Sequence, residues 1–444
     1  MNIAALSLLT YTPESTPGVA PADAAAWISD GIRLRHLGDS LDVSGVERQQ
    51  LEDMRNQYRV KGTEARVEGL DNPECSFAVY GHGIGAETAA GAQVADDAPG
   101  YELANLLGHA LGGLSRGYAT QVNGGTSTIT VIAVDDAADF EAGDFVGIEF
   151  ATPPTGYPAG TIFPRRVIAT DDVSSPNTLT LDQALPQAPV DNDQVHGGIV
   201  VYIDENVLAD SAAAADRTRS WLVQKGMPGA GSGRRESWVF RGSVATLQAF
   251  TFERGGLMQF AFQVMASSHL DPTDAPWPTA WADNVEQGLA PLSVGPLTEV
   301  WLVDRGSSTN TRMQVSRFEV EPGVPRVRVE TLTSAGEGMQ GTAGFAVQPA
   351  ETTINMRIDP FSVAQWTDQT AGTHKTLRWA RLGPAGSCMA VHFPRVSHIA
   401  TPKRDVNNAT TGVGVMFKAH EDVDLVSMPS NTERWRSAMQ IVLF

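Results

Sequence analysis

Two cysteines are all that this chain of 444 residues contains, Cys75 and Cys388, far apart in sequence and without metal-ligand spacing. Their scarcity excludes a disulfide framework and a cysteine-based metal site, and leaves two buried free thiols as the expectation. Basic residues are also scarce. The chain has 32 Lys and Arg against 51 Asp and Glu, a net charge of −19. Tight sequestration of nucleic acid relies on clustered Lys and Arg that release counterions, so any contact with DNA is expected to be repulsive or fleeting. Charged residues amount to 19% and hydrophobic ones to 42%, which suits neither a disordered chain nor a coiled coil. Long apolar runs are missing too. Residues 1–10 are mildly apolar but carry no basic residue and lead into Pro13 and Pro17, so they read as neither a signal peptide nor a membrane span. No membrane insertion is expected.

What is plentiful is turn chemistry, 43 Gly and 26 Pro, between short β-branched and aromatic runs. Together they predict a mainly-β fold, and the length exceeds the roughly 250–300 residues at which one core stops growing. Strand character appears at 31–43 and again at 58–70, which the turn Asp71-Asn72-Pro73 joins to 75–80. One helix is clear. Pro99 stands near its start, Leu103, Leu106, Leu107, Ala110 and Leu111 share a face, and Gly112-Gly113 end it.

Residues 118–205 hold thirteen acidic residues against Arg165 and Arg166, a local charge of −11. Their β runs at 126–134, 145–150, 178–181 and 198–203, split by Gly, Pro and Asp, predict a small β module inserted in a loop. A long hairpin follows at 235–252 and 257–266 across Glu253-Arg254-Gly255-Gly256. In its second arm Met258, Phe260, Phe262 and Val264 alternate with Gln259, Ala261 and Gln263. The stretch 267–280 carries Pro272, Pro276 and Pro278 and reads as a linker. Beyond it, strands are predicted at 299–303, 312–320, 327–332 (joined to the preceding one by Pro322-Gly323), 377–382, 389–396 and 412–417, with a short helix at 360–366.

Five patterns imitate functional motifs. Gly81-His82-Gly83-Ile84-Gly85-Ala86 satisfies the dinucleotide fingerprint, yet residues 87–100 offer no amphipathic helix to receive a pyrophosphate, so a glycine-rich loop is expected. Gly113-Leu114-Ser115-Arg116-Gly117 has nucleophile-elbow spacing, but a helix leads into it where a strand is required. The acidic pairs Asp135-Asp136 and Asp171-Asp172 and the triplet Asp191-Asn192-Asp193 lack the spacing of a Ca²⁺ loop and read as solvated turns. His392 and His398 lie six apart on a predicted strand, unlike a helical ligand pair, and Arg234-Arg235 follows the glycine-rich stretch 229–233. No catalytic, cofactor-binding or metal-binding residues are assigned, and no enzyme is expected.

The opening Glu14-Ser15-Thr16-Pro17-Gly18-Val19-Ala20-Pro21, the long hairpin around Gly242 to Phe262 and the inserted β module together resemble the tail tube proteins of tailed bacteriophages. That resemblance implies a β-sandwich or incomplete barrel flanked by the helix at 103–111. The implied domains are 1–117 with 206–270 as a first tube-like unit, 118–205 as the acidic module, 271–281 as a linker and 282–444 as a second tube-like unit. It further implies a virion protein whose rings, three chains with pseudo-sixfold symmetry or alternatively six, stack into the conduit for DNA ejection. Implied partners are further copies of the chain, a tape-measure protein and a tail terminator. Other readings are a baseplate or terminator ring, or a surface carbohydrate-binding β protein.

Overall fold

The β-branched and aromatic runs fold as antiparallel strands, giving a mainly-β protein with two large sheets and two short ribbons. The structure, a computed structural model, describes residues 7–37, 40–44, 50–52, 66–68, 72–85, 91–96, 98–124, 127–173, 175–209, 218–226, 235–270, 272, 274–278, 289–304, 312–330, 342–348, 350–359, 364–407, 410–422 and 432–444.

Strand Arg235–Glu253 organises the larger sheet. It is nineteen residues long and has no proline. Its first part pairs with Arg219–Gly226 on one side and Ser268–Leu270 on the other. Its second part takes Gln259–Met265, and its end takes Arg312–Glu321. The exchange of partners falls at Gly242, where φ is 56° and a Cβ would stand 2.1 Å from Ser267 Oγ, so only glycine permits the bend. The predicted hairpin across Glu253 to Gly256 is present. Ser7–Pro13, a strand outside the expected ones, lies beside Arg219–Gly226 and carries Ile32–Leu34 on its other edge.

The helix Tyr101–Leu111 packs on this layer with Leu103, Leu106, Leu107 and Leu111 fully buried, each contributing on the order of 1.5–3 kcal/mol. It stops at Gly112, whose φ of 97° lets its N–H return to Gly108 O.

The C-terminal part closes on itself. Thr298–Asp304 pairs with Arg312–Glu321, that with Thr353–Asp359, and that with Thr410–His420. The circuit returns through Met389–His398 and Lys375–Arg381 to Thr298–Asp304, making a six-stranded antiparallel barrel. Alternate residues such as Leu302, Phe318, Met356, Trp379, Phe393 and Phe417 fill it. Phe252 from the long strand stacks on Trp379 at 4.0 Å, so the N-terminal layer and the barrel share one core.

Between Gly112–Arg116 and Ile199–Ile203, themselves paired, the chain makes the second sheet: Thr120–Gln121, Gln194–Gly197, Phe145–Glu149, Ile162–Asp171, Asn177–Leu181 and Val131–Val134. The Val122–Val134 bridge joins its end strands, so it nearly closes into a smaller barrel.

Several expectations are corrected. Residues 198–203 belong to the main sheet, where Ile199–Ile203 also pairs with Gln440–Leu443, so the inserted sheet ends at Gly197. Among the described residues, strand Glu74–Tyr80 does not pair with Arg66–Glu68, the part of 58–70 that is described. It lies between Gln259–Met265 and Asp42–Ser44, while Arg66–Glu68 pairs with Gln50–Glu52, and 53–65 and 69–71 fall outside the described residues. Pro322-Gly323 does not close a hairpin, because Arg326–Glu330 pairs with Thr342–Val347. The helix expected at 360–366 is Ala364–Ala371, with 360–363 outside the described residues. The stretch expected to separate two halves lies instead against the long strand and its neighbour: Ser237 Oγ donates to Ala275 and Pro276 carbonyls, and Gln224 Nε2 donates to Pro278 O.

Glu14 explains the opening motif physically. Its buried carboxylate accepts from Gly18 N (2.8 Å), Gly242 N (2.8 Å) and Ser220 Oγ (2.5 Å), so one side chain holds the Pro17-Gly18 turn to the bend of the long strand. Charge-assisted bonds of this kind contribute more than neutral ones. Glu14→Ala is expected to lower unfolding free energy by about 2–4 kcal/mol, read from urea midpoints; an unchanged midpoint would refute the anchoring role.

Candidate functional site

Two places concentrate chemistry: the joint between the barrels and a groove on the opposite wall of the larger one. At the joint, apolar contact comes first. Phe145, Val146, Ile162 and Phe163 of the inserted sheet pack against Trp301, Ala390, Val442 and Phe444. Within that apolar surface sits a layer of buried charge. Arg378, fully buried on the barrel's outer face, donates to both carboxylate oxygens of Asp182 and, at 3.2 Å, to Gln183 Oε1. Its guanidinium also faces the Phe145 ring at 5.3 Å.

His392 stands between two cations. Arg166 and Arg378 each place a nitrogen 3.5 Å from one of its ring nitrogens. Burial, reinforced by Arg378 and Arg166, holds its pKa well below the ordinary 6.5, so the ring is neutral at neutral pH. Arg165 donates to Ala184 O at 3.0 Å and faces Trp301, and burial, with Arg378 nearby, pushes its pKa down to about 10. Arg434 meets Asp144 at 3.0 Å and stacks over Trp435 at 3.6 Å. Burial raises the Asp144 carboxyl against Arg434's opposing pull.

The groove, about 700 Å³, opens where the long strand meets the barrel. Register aligns Glu253, Arg317, Arg357, Gly414 and Lys403 directly opposite one another on five successive strands. The missing side chain at Gly414 deepens that row between Arg357 and Lys403. The next row on the same face is Thr251, Glu319, Asn355 and Met416. Arg254, Arg317, Arg357 and Lys403 outnumber Glu253 and Glu319, so the groove leans positive in a chain of charge −19. Arg317 is held by Glu319 at 3.0 Å and Glu253 at 3.8 Å.

The imitation motifs are structural parts. Gly83 N donates to Gly386 O and Ile84 N to Phe444 O, and a Cβ on Gly83 would stand 2.0 Å from Phe444 O, so that loop's glycine serves close packing. Residues 86–90 fall outside the described residues, and the next helix begins at Tyr101. Ser115 lies on strand Gly112–Arg116 after a helix, and its hydroxyl accepts from Arg434. Asp136 and Asp171 cap exposed turns through Ala138 N and Val173 N, as solvated turns do. Asp193 departs from that reading: it is buried and accepts from Ala151 N and Val190 N. Both cysteines are free and buried, and burial raises both thiol pKa values. Arg234 and 229–233 lie outside the described residues.

His398 packs against Phe417 with the rings tilted, while His392 belongs to the joint, so the two strand histidines do not converge. Sequence reading also missed Ser397, which lies 2.7 Å from His420 Nε2. His420 neighbours His374 and Lys418, and among the described residues no carboxylate is hydrogen-bonded to it, so the pair lacks the orienting group of a nucleophilic triad. Among the described residues no three His, Cys, Asp or Glu converge to hold a metal ion. No protein-family model matches the chain, and no curated protein matches it.

Removing one partner of a buried pair strands the other. Asp182→Asn is expected to cost about 3–5 kcal/mol by chemical denaturation, and the smaller, fully apolar change Arg378→Met with Asp182→Leu to cost less than Asp182→Asn alone. Acid sensitivity follows from His392 and His109, both held below 6.5 chiefly by burial. The unfolded chain takes up their protons first, so stability is full above about pH 7 and falls below about 6.5, by up to about 1.4 kcal/mol per pH unit for each ring. His392→Phe should flatten that slope in pH-dependent melts; an unchanged slope would contradict this assignment.

Proposed function

We propose that this chain is a structural subunit that assembles with copies of itself into rings, and that stacked rings form the tail tube of a tailed bacteriophage, the conduit for DNA ejection. The observation that carries the reading is the layout of strand edges. Ile32–Leu34, Asp42–Ser44, Gly112–Arg116 and Lys403–Asn407 each pair on one side only among the described residues. Exposed edges endanger a monomer and are useful in a ring, where a neighbour's strand covers them. Heterologous contacts with the right rotation close such rings.

The Glu14 turn, the long hairpin and the inserted β module support the same reading because they are the features on which the resemblance rests. The acidic balance suits a channel that DNA traverses without adhering. In this reading the protein is not an enzyme, works in the virion, and meets tape-measure and terminator proteins in addition to itself. Three chains per ring are proposed, with each chain supplying two units around a pseudo-sixfold axis.

Negative-stain electron microscopy with mass photometry tests this. Rings with a central hole and a mass three times the 47.3 kDa chain are expected. Six chains would correct the stoichiometry. A monomer at every concentration would overturn the reading, and sugar binding by that monomer would favour a carbohydrate-binding role.

A further inference from the structure

The geometry points to a specific contact between copies: the acidic end of the inserted barrel seats in the positive groove of a neighbouring copy. This deepens the self-assembly proposed above and rests on it. The inserted barrel leans on the wall made by Thr298–Asp304, Lys375–Arg381 and Met389–His398, through Trp301, Arg378 and His392. The groove opens on the other three strands of that circuit, Arg312–Glu321, Thr353–Asp359 and Thr410–His420. Surfaces on opposite walls of one barrel face away from each other, so their meeting joins two copies head to tail.

The inserted barrel presents its free end away from the joint. Strand Ile162–Asp171 starts at the joint, where Ile162 bridges Gly383, and its first six residues are buried. It then emerges through half-exposed Ile168 and ends at Asp171-Asp172. Register brings Asp171 opposite Thr178 and Asn177 opposite Val134, which places Asp135 and Asp136 at the same end. Asn177 Nδ2 also donates to Asp135 O there. Val173, 92% exposed, forms the tip among these four aspartates.

The groove is its complement. Arg254 and Lys403 have no carboxylate within ion-pair distance among the described residues, and they flank a floor containing Gly414 and Met416, itself 38% exposed. An apolar tip ringed by acids thus meets an exposed methionine flanked by cations. Complementary charge of this kind sets register and speeds encounter more than it adds affinity, so the contact is expected to be salt-sensitive.

Cysteine crosslinking reads the contact without requiring rings. Val173→Cys and Met416→Cys, made in separate full-length chains and mixed under mild oxidation at low salt, are expected to form a disulfide-linked pair. The native Cys75 and Cys388 are buried and do not compete. Arg254→Glu with Lys403→Glu in the Met416→Cys chain should lower the yield about tenfold, as should about 1 M salt. Asp136→Lys with Asp172→Lys in the other chain should restore it. A crosslink without rings in the microscope leaves this contact standing and removes the tube reading. Rings without a crosslink, or with a yield indifferent to charge reversal, overturn the contact and leave the tube reading standing. Neither rings nor crosslink removes both.

Discussion

The structure depends on satisfying the backbone of one strand. Arg235–Glu253 is too long for any single partner, and every buried N–H and C=O along it needs one. The chain meets that demand with four strands drawn from residues 219–226, 259–265, 268–270 and 312–321. Gly242 allows the strand to bend between the two sets, and Glu14 fixes the bend from the side. Because the last of those partners also belongs to the C-terminal barrel, the same strand ties the N-terminal layer to it. Without that shared strand, Phe252 would not reach Trp379 and the two parts would need separate cores.

The joint to the inserted barrel follows a different logic. Apolar packing by Phe145, Phe163, Trp301 and Phe444 supplies contact area that would tolerate sliding. The Arg378–Asp182 pair and the neutral ring of His392 tolerate little, since a shift of an ångström would leave buried charges without partners. Such a layer adds little net stability and fixes orientation, which is what a projecting barrel needs if its far end is to meet a distant surface reproducibly.

Legibility in the sequence tracked locality. The helix at 101–111 and the hairpin turn at 253–256 were readable because their periodicity and glycines are local signals. The acidic module was readable from charge, but its end was misplaced, because residues 198–203 look like another short run until Gln440–Leu443 arrives beside them. Strand Thr353–Asp359 alternates Ile354, Met356 and Ile358 with polar residues, a local period-two signal that lies outside the expected strands. Ile162–Asp171 was hidden for a physical reason. Pro164 and two arginines argue against a buried strand, and the groups that compensate Arg165 and Arg166, including Asp182, Ala184 and His392, lie elsewhere in the chain. The groove was equally invisible, since its row of charges exists only in the register of five strands.

That distribution of partners also sets an order of events during synthesis. The inserted sheet is contained within residues 120–197, so its strands meet soon after they leave the ribosome. Ser7–Pro13 must wait for residues 219–226, and Met389–His398 and Ile199–Ile203 for Gln440–Leu443. For most of translation the nascent chain is therefore one finished barrel carried on a sheet with open edges. Apolar strands left open in this way invite pairing between neighbouring nascent chains. Slower expression at lower temperature, or a chaperone that shields strand edges, protects this protein at the stage when it has made most of its residues and few of its longest-range bonds.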